Sequence, residues 1–327
     1  TQSRSSAASD VYKRQVVFIG GHLMKKIRTV LGDISQEDLG FTYSHEHLWA
    51  CPPPQQKDRD FELTDYDKSL KELYNFKEVG GESLIEGSTI DYGRNGQKLE
   101  RMAKDSGINI VATTGFNKHV YYPDWVAEKS VNEITDILIN DITIGMDNTD
   151  VKAGYIKVGS WLQLIHPLEK KTTIAAAHAQ KETGAAIWMH TEAGTMGNEM
   201  LDILEKEGAD LAKVAVGHSD RNPDPYYHLQ LARRGVYVQF DGCGKIKYTT
   251  DYVRVKLIKN LLAHGYEKHI LISGDMGRQS YLEAYGGGPG FKFIKTKFIP
   301  RLLDEGINKN VIQTIFIKNP AKWLAQF

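Results

Sequence analysis

Cysteine is nearly absent from these 327 residues. Only Cys51 and Cys243 occur, and they form neither a disulfide framework nor a thiolate metal motif. That scarcity suits a reducing compartment, so a cytoplasmic location is expected. Charge of one sign has no excess: 41 Lys plus Arg stand against 41 Asp plus Glu. A balanced chain lacks the field that steers nucleic acid or an anionic membrane surface, and neither is expected as a partner. No apolar run approaches the roughly 20 residues of a membrane span. No G-x-G-x-x-G turn follows the first strand-like run, which removes the phosphate cradle of a doubly wound open sheet. Internal repeats are absent, and low complexity is confined to the first residues.

Those first residues read as foreign to the rest. Thr1 to Gln15 is rich in Ser, Ala and Arg without an apolar period, and Val16 to Ile19 is too short for a signal-peptide core. Met24-Lys25-Lys26-Ile27 reads like a natural start. Residues 1–23 are therefore expected to be a leader outside the fold, and residues 24–327 a single domain.

What the chain does have is alternation. After a small hairpin over Arg28–Ile34, strand-like runs are expected at Phe41–Glu46, Ser88–Asp91, Ile108–Thr113, Tyr155–Val158, Ala186–His190, Val214–His218, Val236–Asp241 and His269–Asp275. Helical segments separate them at Tyr66–Phe76, Gln97–Ser106, Val126–Asn140, Pro167–Thr183, Asn198–Glu207, Asp224–Arg234 and Asp251–His264, with more helix over residues 298–305 and 308–325. Several stop at a glycine, as helix ends do. Strand–helix alternation implies right-handed βαβ units and a parallel sheet. Eight units in about 250 residues is the size of a (β/α)8 barrel, the α/β class expected here.

In such a barrel the C-terminal strand ends share one face, where active sites are built. His45 and His47 stand one residue apart at the end of the first strand, so alternation points both the same way. Lys157 ends the fourth strand, His190 the fifth, His218 the sixth and Asp275 the eighth. Each has a bland reading alone: a hydrogen-bonded core histidine, a paired lysine, a helix cap. At matching ends of different strands they read as ligands for two divalent metals held close together. His22, His119, His166, His178, His228, His264 and His269 fall in the leader, in loops, in helices or at a strand start, and stay in the bland class.

His45-Glu46-His47, Ile156-Lys157-Val158, Met189-His190-Thr191, Gly217-His218-Ser219-Asp220 and Ser273-Gly274-Asp275 resemble the phosphotriesterase-like family of the amidohydrolase superfamily, over essentially residues 27–325. The resemblance implies a binuclear centre at the C-terminal strand ends. His45, His47 and Asp275 would hold the more buried ion, and His190 and His218 the more exposed one. Lys157, carboxylated by CO2, would bridge both, with a shared hydroxide as nucleophile. Asp275 and Lys157 are then the catalytic residues, Asp275 carrying the proton to the leaving oxygen. Imidazole and carboxylate ligands suit Zn2+, with Mn2+ or Co2+ allowed.

Loops decide the substrate. The segment after the seventh strand carries Lys245 and Lys247, and the one after the eighth carries Arg278 and Tyr281. Such a cluster suits a phosphate or carboxylate, although loop lysines are often merely solvated. The loop pair resembles the branch that hydrolyses phosphorylated sugar lactones. The organophosphate branch carries histidines where this chain has Gly242 and Lys245, and the acyl-homoserine lactonase branch an arginine where it has Gly242. The expected function is opening of a small anionic lactone, with Arg278, Tyr281 and Lys245 or Lys247 gripping its phosphate and a homodimer as an allowed assembly. The alternatives are a phosphotriesterase or lactonase with a neutral substrate, and a binding protein on a vestigial barrel. The vestigial reading should have lost a ligand, and all six are present.

Overall fold

Local chemistry sets the element boundaries. The helix Pro167–Thr183 opens with Pro167 at its first position, and His166 Nδ1 accepts from the Leu168 amide. Glu169 reaches back to the His166 amide at 2.8 Å, and Gly184 closes the helix at φ 70°. Proline there gives up an amide that has no partner anyway, and glycine enters the left-handed region without strain. The long helix expected over Val126–Asn140 is instead two, Trp125–Glu128 and Val131–Thr143. Ser130 breaks it by forming a capping box with Glu133, which gives the second piece its own start.

The structure is a computed structural model that describes residues 25–326; the expected leader, residues 1–23, lies outside the described residues. An antiparallel hairpin, β1 (Lys26–Thr29) with β2 (Gly32–Ser35), leads in. Nine parallel segments follow: β3 (Thr42–Glu46), β4 (Ser83–Glu86), β5 (Asn109–Val111), β6 (Thr113–Gly115), β7 (Tyr155–Ser160), β8 (Ala186–Thr191), β9 (Val214–Val216), β10 (Tyr237–Phe240) and β11 (Ile270–Ile272). β3, β4 and β5 pair in order, and β6 through β11 pair in order. Only Ala112 separates β5 from β6, so these are two halves of one strand, and the wall has the eight positions of a (β/α)8 barrel.

Side chains stitch the first strand to the last. Ser44 Oγ donates to the Ile272 carbonyl at 3.1 Å, the His45 amide donates to Ser273 Oγ at 3.0 Å, and the Asp275 amide donates to the His45 carbonyl at 3.1 Å. Glu46 completes the seam: its carboxylate accepts from Ser273 Oγ at 2.7 Å and from the Gly274 and Met276 amides at 2.6 and 2.8 Å. Burial pushes the Glu46 carboxyl up to about 7 against the pull of these donors.

One strand is displaced from its expected place. The second strand is Ser83–Glu86, and Ile90–Tyr92 is a single 3-10 turn. Thr89 Oγ1 bonds Asp91 at 2.6 Å, and the Asp91 carboxylate accepts the Asn117 amide on both oxygens. Side chains that bond locally in this way pull backbone out of a ladder.

Alternation divides the core. Ile85, Val111, Tyr155, Trp188, Ala215, Tyr237 and Leu271 fill the barrel interior, plugged from below by Ile27, Leu39 and Trp323. Their strand neighbours Leu84, Ile110, Ile156, Ile187, Val214, Val238 and Ile270 face the helices. Among the described residues no helix is long and apolar enough to cross a membrane.

Candidate active site

Tyr155 and Trp188 point into the barrel, and two residues further on Lys157 and His190 keep that inward parity at the strand tops. On β3 an irregularity in the ladder with β4, between Tyr43 and Glu46, changes the phase of the strand end. Such irregularities re-aim side chains beside active sites. His45 lies flat on the Trp188 indole, with centroids 3.7 Å apart and planes at 9°. Lys157 Nζ sits 4.7 Å from the centre of that indole, and His218 meets it edge-on at 5.2 Å. Trp188 is fixed by its Nε1 donating to Gln239 Oε1 at 3.0 Å. One buried indole is thus the floor under three of the six expected ligands.

The donor atoms converge above it. Nitrogens of His45 and His218 and an oxygen of Asp275 all lie within 4.8 Å of one another. Asp275 Oδ1 is 3.6 Å from His45 Nε2 and 3.5 Å from His47 Nε2. His190 Nδ1 is 2.9 Å from His218 Nε2. His218 and Asp275 hold left-handed backbone, at φ 55° and 45°, a strain that clusters at functional sites. Lys157 Nζ donates to the Gly87 carbonyl at 2.9 Å and lines the cleft above.

Carboxylates orient three of the imidazoles. His218 Nδ1 is 2.7 Å from Asp241 Oδ1, and the His218 amide donates to Asp241 Oδ2 at 3.0 Å. His47 Nδ1 meets Ser88 Oγ at 2.9 Å, and that hydroxyl donates to Glu86 at 2.8 Å. His190 Nε2 meets Glu192 Oε2 at 3.1 Å, and Glu192 is held by Lys118 at 2.6 Å. Each ring is left with one nitrogen facing the centre, the arrangement that metal-ligating histidines use. His45 differs: both its nitrogens are buried without a hydrogen-bond partner. Buried polar atoms in native proteins almost always have partners. A metal ion fits this orphaned imidazole and the His/Asp donor set around it.

Electrostatics agrees with that fit. Burial, with Lys157 nearby, holds His45 well below its usual pKa, and burial with Arg221 does the same for His218. Neutral rings are the ligand form. Burial lowers Lys157 to about 8. Burial would raise Asp275, but Lys245, His47, His218 and Arg221 hold it well below the usual carboxylate range.

All six expected ligands therefore meet at one place, and the expected substrate residues divide. Arg278 and Tyr281 line the cleft above the centre. Lys245 or Lys247 was expected on the substrate. The structure gives the Lys245 ammonium to Asp275, at 2.8 Å from both Oδ2 and the backbone carbonyl. A turn from Gly242 to Lys245 folds that side chain inward. Lys247 is exposed on the same loop and stands 5.8 Å from the ring of cleft-lining Tyr248. Of the histidines given a bland reading, His119 stacks on His166 and pairs with the buried Glu169, and His178 pairs with Glu207. Sequence reasoning passed over Trp188, Asp241, Glu192 and Arg221. Arg221 donates to Asp275 Oδ2 at 2.9 Å and lies over the Tyr248 ring at 4.2 Å.

The sequence pattern of the Phosphotriesterase family matches residues 25–324. A phospho-furanose lactonase of Mycoplasmopsis synoviae is 34% identical over 324 residues, covering 92% of each chain. The crystal structure of a lactonase from Listeria monocytogenes superposes with a TM-score of 0.89 at 38% identity, covering 92% of this chain and 99% of that one. The phosphotriesterase homology protein of Escherichia coli, solved with phosphate in its active site, gives a TM-score of 0.85 at 34% identity, over 88% of this chain and 99% of the other.

Proposed function

This chain belongs to the phosphotriesterase family, and from that premise we propose that it is a metal-dependent hydrolase that opens a small phosphorylated sugar lactone. The observation that carries the reading is one cleft with two chemistries. The His/Asp donor group forms its base, and Arg278 and Tyr281 stand at its rim. Relatives named as a lactonase and a phospho-furanose lactonase, and a neighbour solved with phosphate in its active site, support it.

His45, His47 and Asp275 would hold one divalent ion, and His190 and His218 a second, with Zn2+ the best match to the donors. When bound, such ions supply Lewis acidity and an activated water at neutral pH. The rest falls to the chain. Lys157, lowered to about 8, keeps a share of neutral amine. That amine can add CO2, losing one proton and becoming a carbamate, an anion whose two oxygens would join the donor set. Asp275 is anionic and faces the centre with Oδ1 while Arg221 and Lys245 hold Oδ2. It can accept the proton of the attacking water and return it to the ring oxygen as the ester bond breaks. The product is the open hydroxy acid.

A second reading has one observation in its favour. Arg278 Nη1 is already engaged by Asp58 at 2.6 Å and Asp60 at 3.2 Å, so its charge is offset before any ligand arrives. That would suit a neutral lactone or organophosphate. Hydrolysis of paired lactones, with and without phosphate, by enzyme loaded with Zn2+ or Mn2+ in bicarbonate separates the two. Higher kcat/KM on the phosphorylated member supports the proposal, and equal or faster turnover of the unphosphorylated member overturns it.

A further inference from the structure

The loop after β3 and the loop after β11 are zipped together at the rim of the cleft. Asp60 accepts the Ser280 amide at 2.8 Å on Oδ1. Its Oδ2 accepts Ser280 Oγ at 2.6 Å and Arg278 Nη1 at 3.2 Å. Gln279 Nε2 donates to the Glu62 carbonyl at 2.7 Å. Between Asp60 and Glu62, Phe61 presents its ring to the Arg278 guanidinium, 3.7 Å from the centroid, and both side chains line the cleft. Arg278 is thus stacked on one face and tied at one terminal nitrogen. Its Nε is buried without a hydrogen-bond partner. A guanidinium has five N–H donors in a rigid fork, and fixing one corner sets the direction of the rest.

We propose that Asp60 is a positioning residue for anion recognition: it holds Arg278 against Phe61 so that the remaining terminal N–H donors of the guanidinium are presented to the substrate phosphate. This rests on the phosphorylated-lactone reading above and extends it to a residue on a different loop. Two effects of Asp60 oppose each other. Its negative charge repels a phosphate, and its hydrogen bonds order a long, flexible side chain. The repulsion is weak, because the Asp60 side chain is 27% exposed and the Asp58 side chain 49%, where solvent screens charge. Ordering acts directly on the recognising group, and the freedom of one such side chain is worth roughly 3- to 10-fold in affinity. Ordering therefore wins at Asp60, which also anchors Ser280. Asp58 bonds the same Nη1 at the shorter distance, 2.6 Å against 3.2 Å, but from a more exposed position and without a bond to Ser280, so it does not tie Arg278 to the facing loop as Asp60 does.

Asp60→Asn is the informative change. The amide oxygen can keep the Ser280 amide, leaving the loop anchored, while the new NH2 faces Arg278 Nη1 donor to donor. In metal-loaded enzyme the Kd of inorganic phosphate, measured by calorimetry, should rise about 3- to 10-fold. The KM for a phosphorylated lactone should rise with it, by more than for the unphosphorylated partner and with the smaller change in kcat. The thermal midpoint serves as the check on folding. Unchanged or tighter phosphate binding by Asp60→Asn, with Arg278→Ala still losing phosphate, would overturn the positioning role and leave the substrate reading standing. Retention of phosphate affinity by Arg278→Ala would overturn the substrate reading, and the role of Asp60 with it.

Discussion

Asp241→Asn keeps the shape of a buried side chain and removes one property, the ability to accept on both oxygens. In the native arrangement Oδ2 takes the His218 amide and Oδ1 takes His218 Nδ1–H, which leaves Nε2 unprotonated toward His190. Asparagine has one acceptor. If its oxygen stays on the backbone amide, its NH2 meets Nδ1, and the ring must take the other tautomer with the proton on Nε2. The nitrogen that faces the centre is then blocked. A charge-assisted hydrogen bond to a buried group is worth about 1.5–3 kcal/mol. That converts to roughly 10- to 100-fold in affinity, the range found when orienting partners of metal-bound histidines are removed. Competitive titration of Zn2+ against a chromophoric chelator should show the weaker-bound ion lost by that factor, with the circular dichroism of the fold unchanged. Zn2+ affinity within about twofold of the unmodified protein would refute the tautomer argument.

Three further outcomes follow from named contacts. Glu46→Gln places an amide NH2 against a seam donor, and with one or two buried donors left unpaired it should cost about 2–4 kcal/mol, read as a lower midpoint in urea unfolding. An unchanged midpoint would show that the seam does not depend on its carboxylate. Lys157→Ala should lower the metal content reached with excess Zn2+ and bicarbonate from two ions per chain toward one, with formate restoring part of it; two tightly held ions in the variant would remove the bridging role. Gly87→Ala would bring a Cβ to 2.3 Å from His45 Cε1. The ring would have to leave its place on Trp188, so metal affinity should fall and stability drop by about 1–3 kcal/mol, and native Zn2+ affinity in this variant would show that the site yields more easily than its packing implies.

The expected ligands were legible because each closes an apolar, strand-like run with one polar side chain; parity alone aims Lys157 and His190, whereas His45 and His47 follow the β3 irregularity and His218 and Asp275 lie in left-handed backbone just past their strands. Asp241 obeys the same rule at the end of the seventh strand, yet it was given no role; the positional argument applied evenly would have found it. Ser83–Glu86 was displaced in the reading because Leu84 and Ile85 are its only apolar residues, too short a run to outweigh the Thr-Ile pair that follows. Trp188 could not be recognised as a floor, since an indole within a strand reads as ordinary core. Arg221 and Lys245 carry no sign in the sequence that they turn inward onto Asp275. The Asp60–Arg278 contact spans 218 positions, and nothing local to either loop announces it.

The seam between the first and last strands also sets an order in time. Its bonds join residues 228 positions apart. Contacts so distant in sequence form late, because the loop-closure entropy is met before they return anything. At about 5–20 residues per second of synthesis, roughly 11 to 46 s separate the emergence of His45 from that of Asp275. Through that interval the outer edge of β3 lacks β11 beside it, and His45 and His47 lack Asp275. Assembly of the six expected ligands around one point therefore comes late in folding. A chain that stops short of β11 carries the first two histidines and no centre.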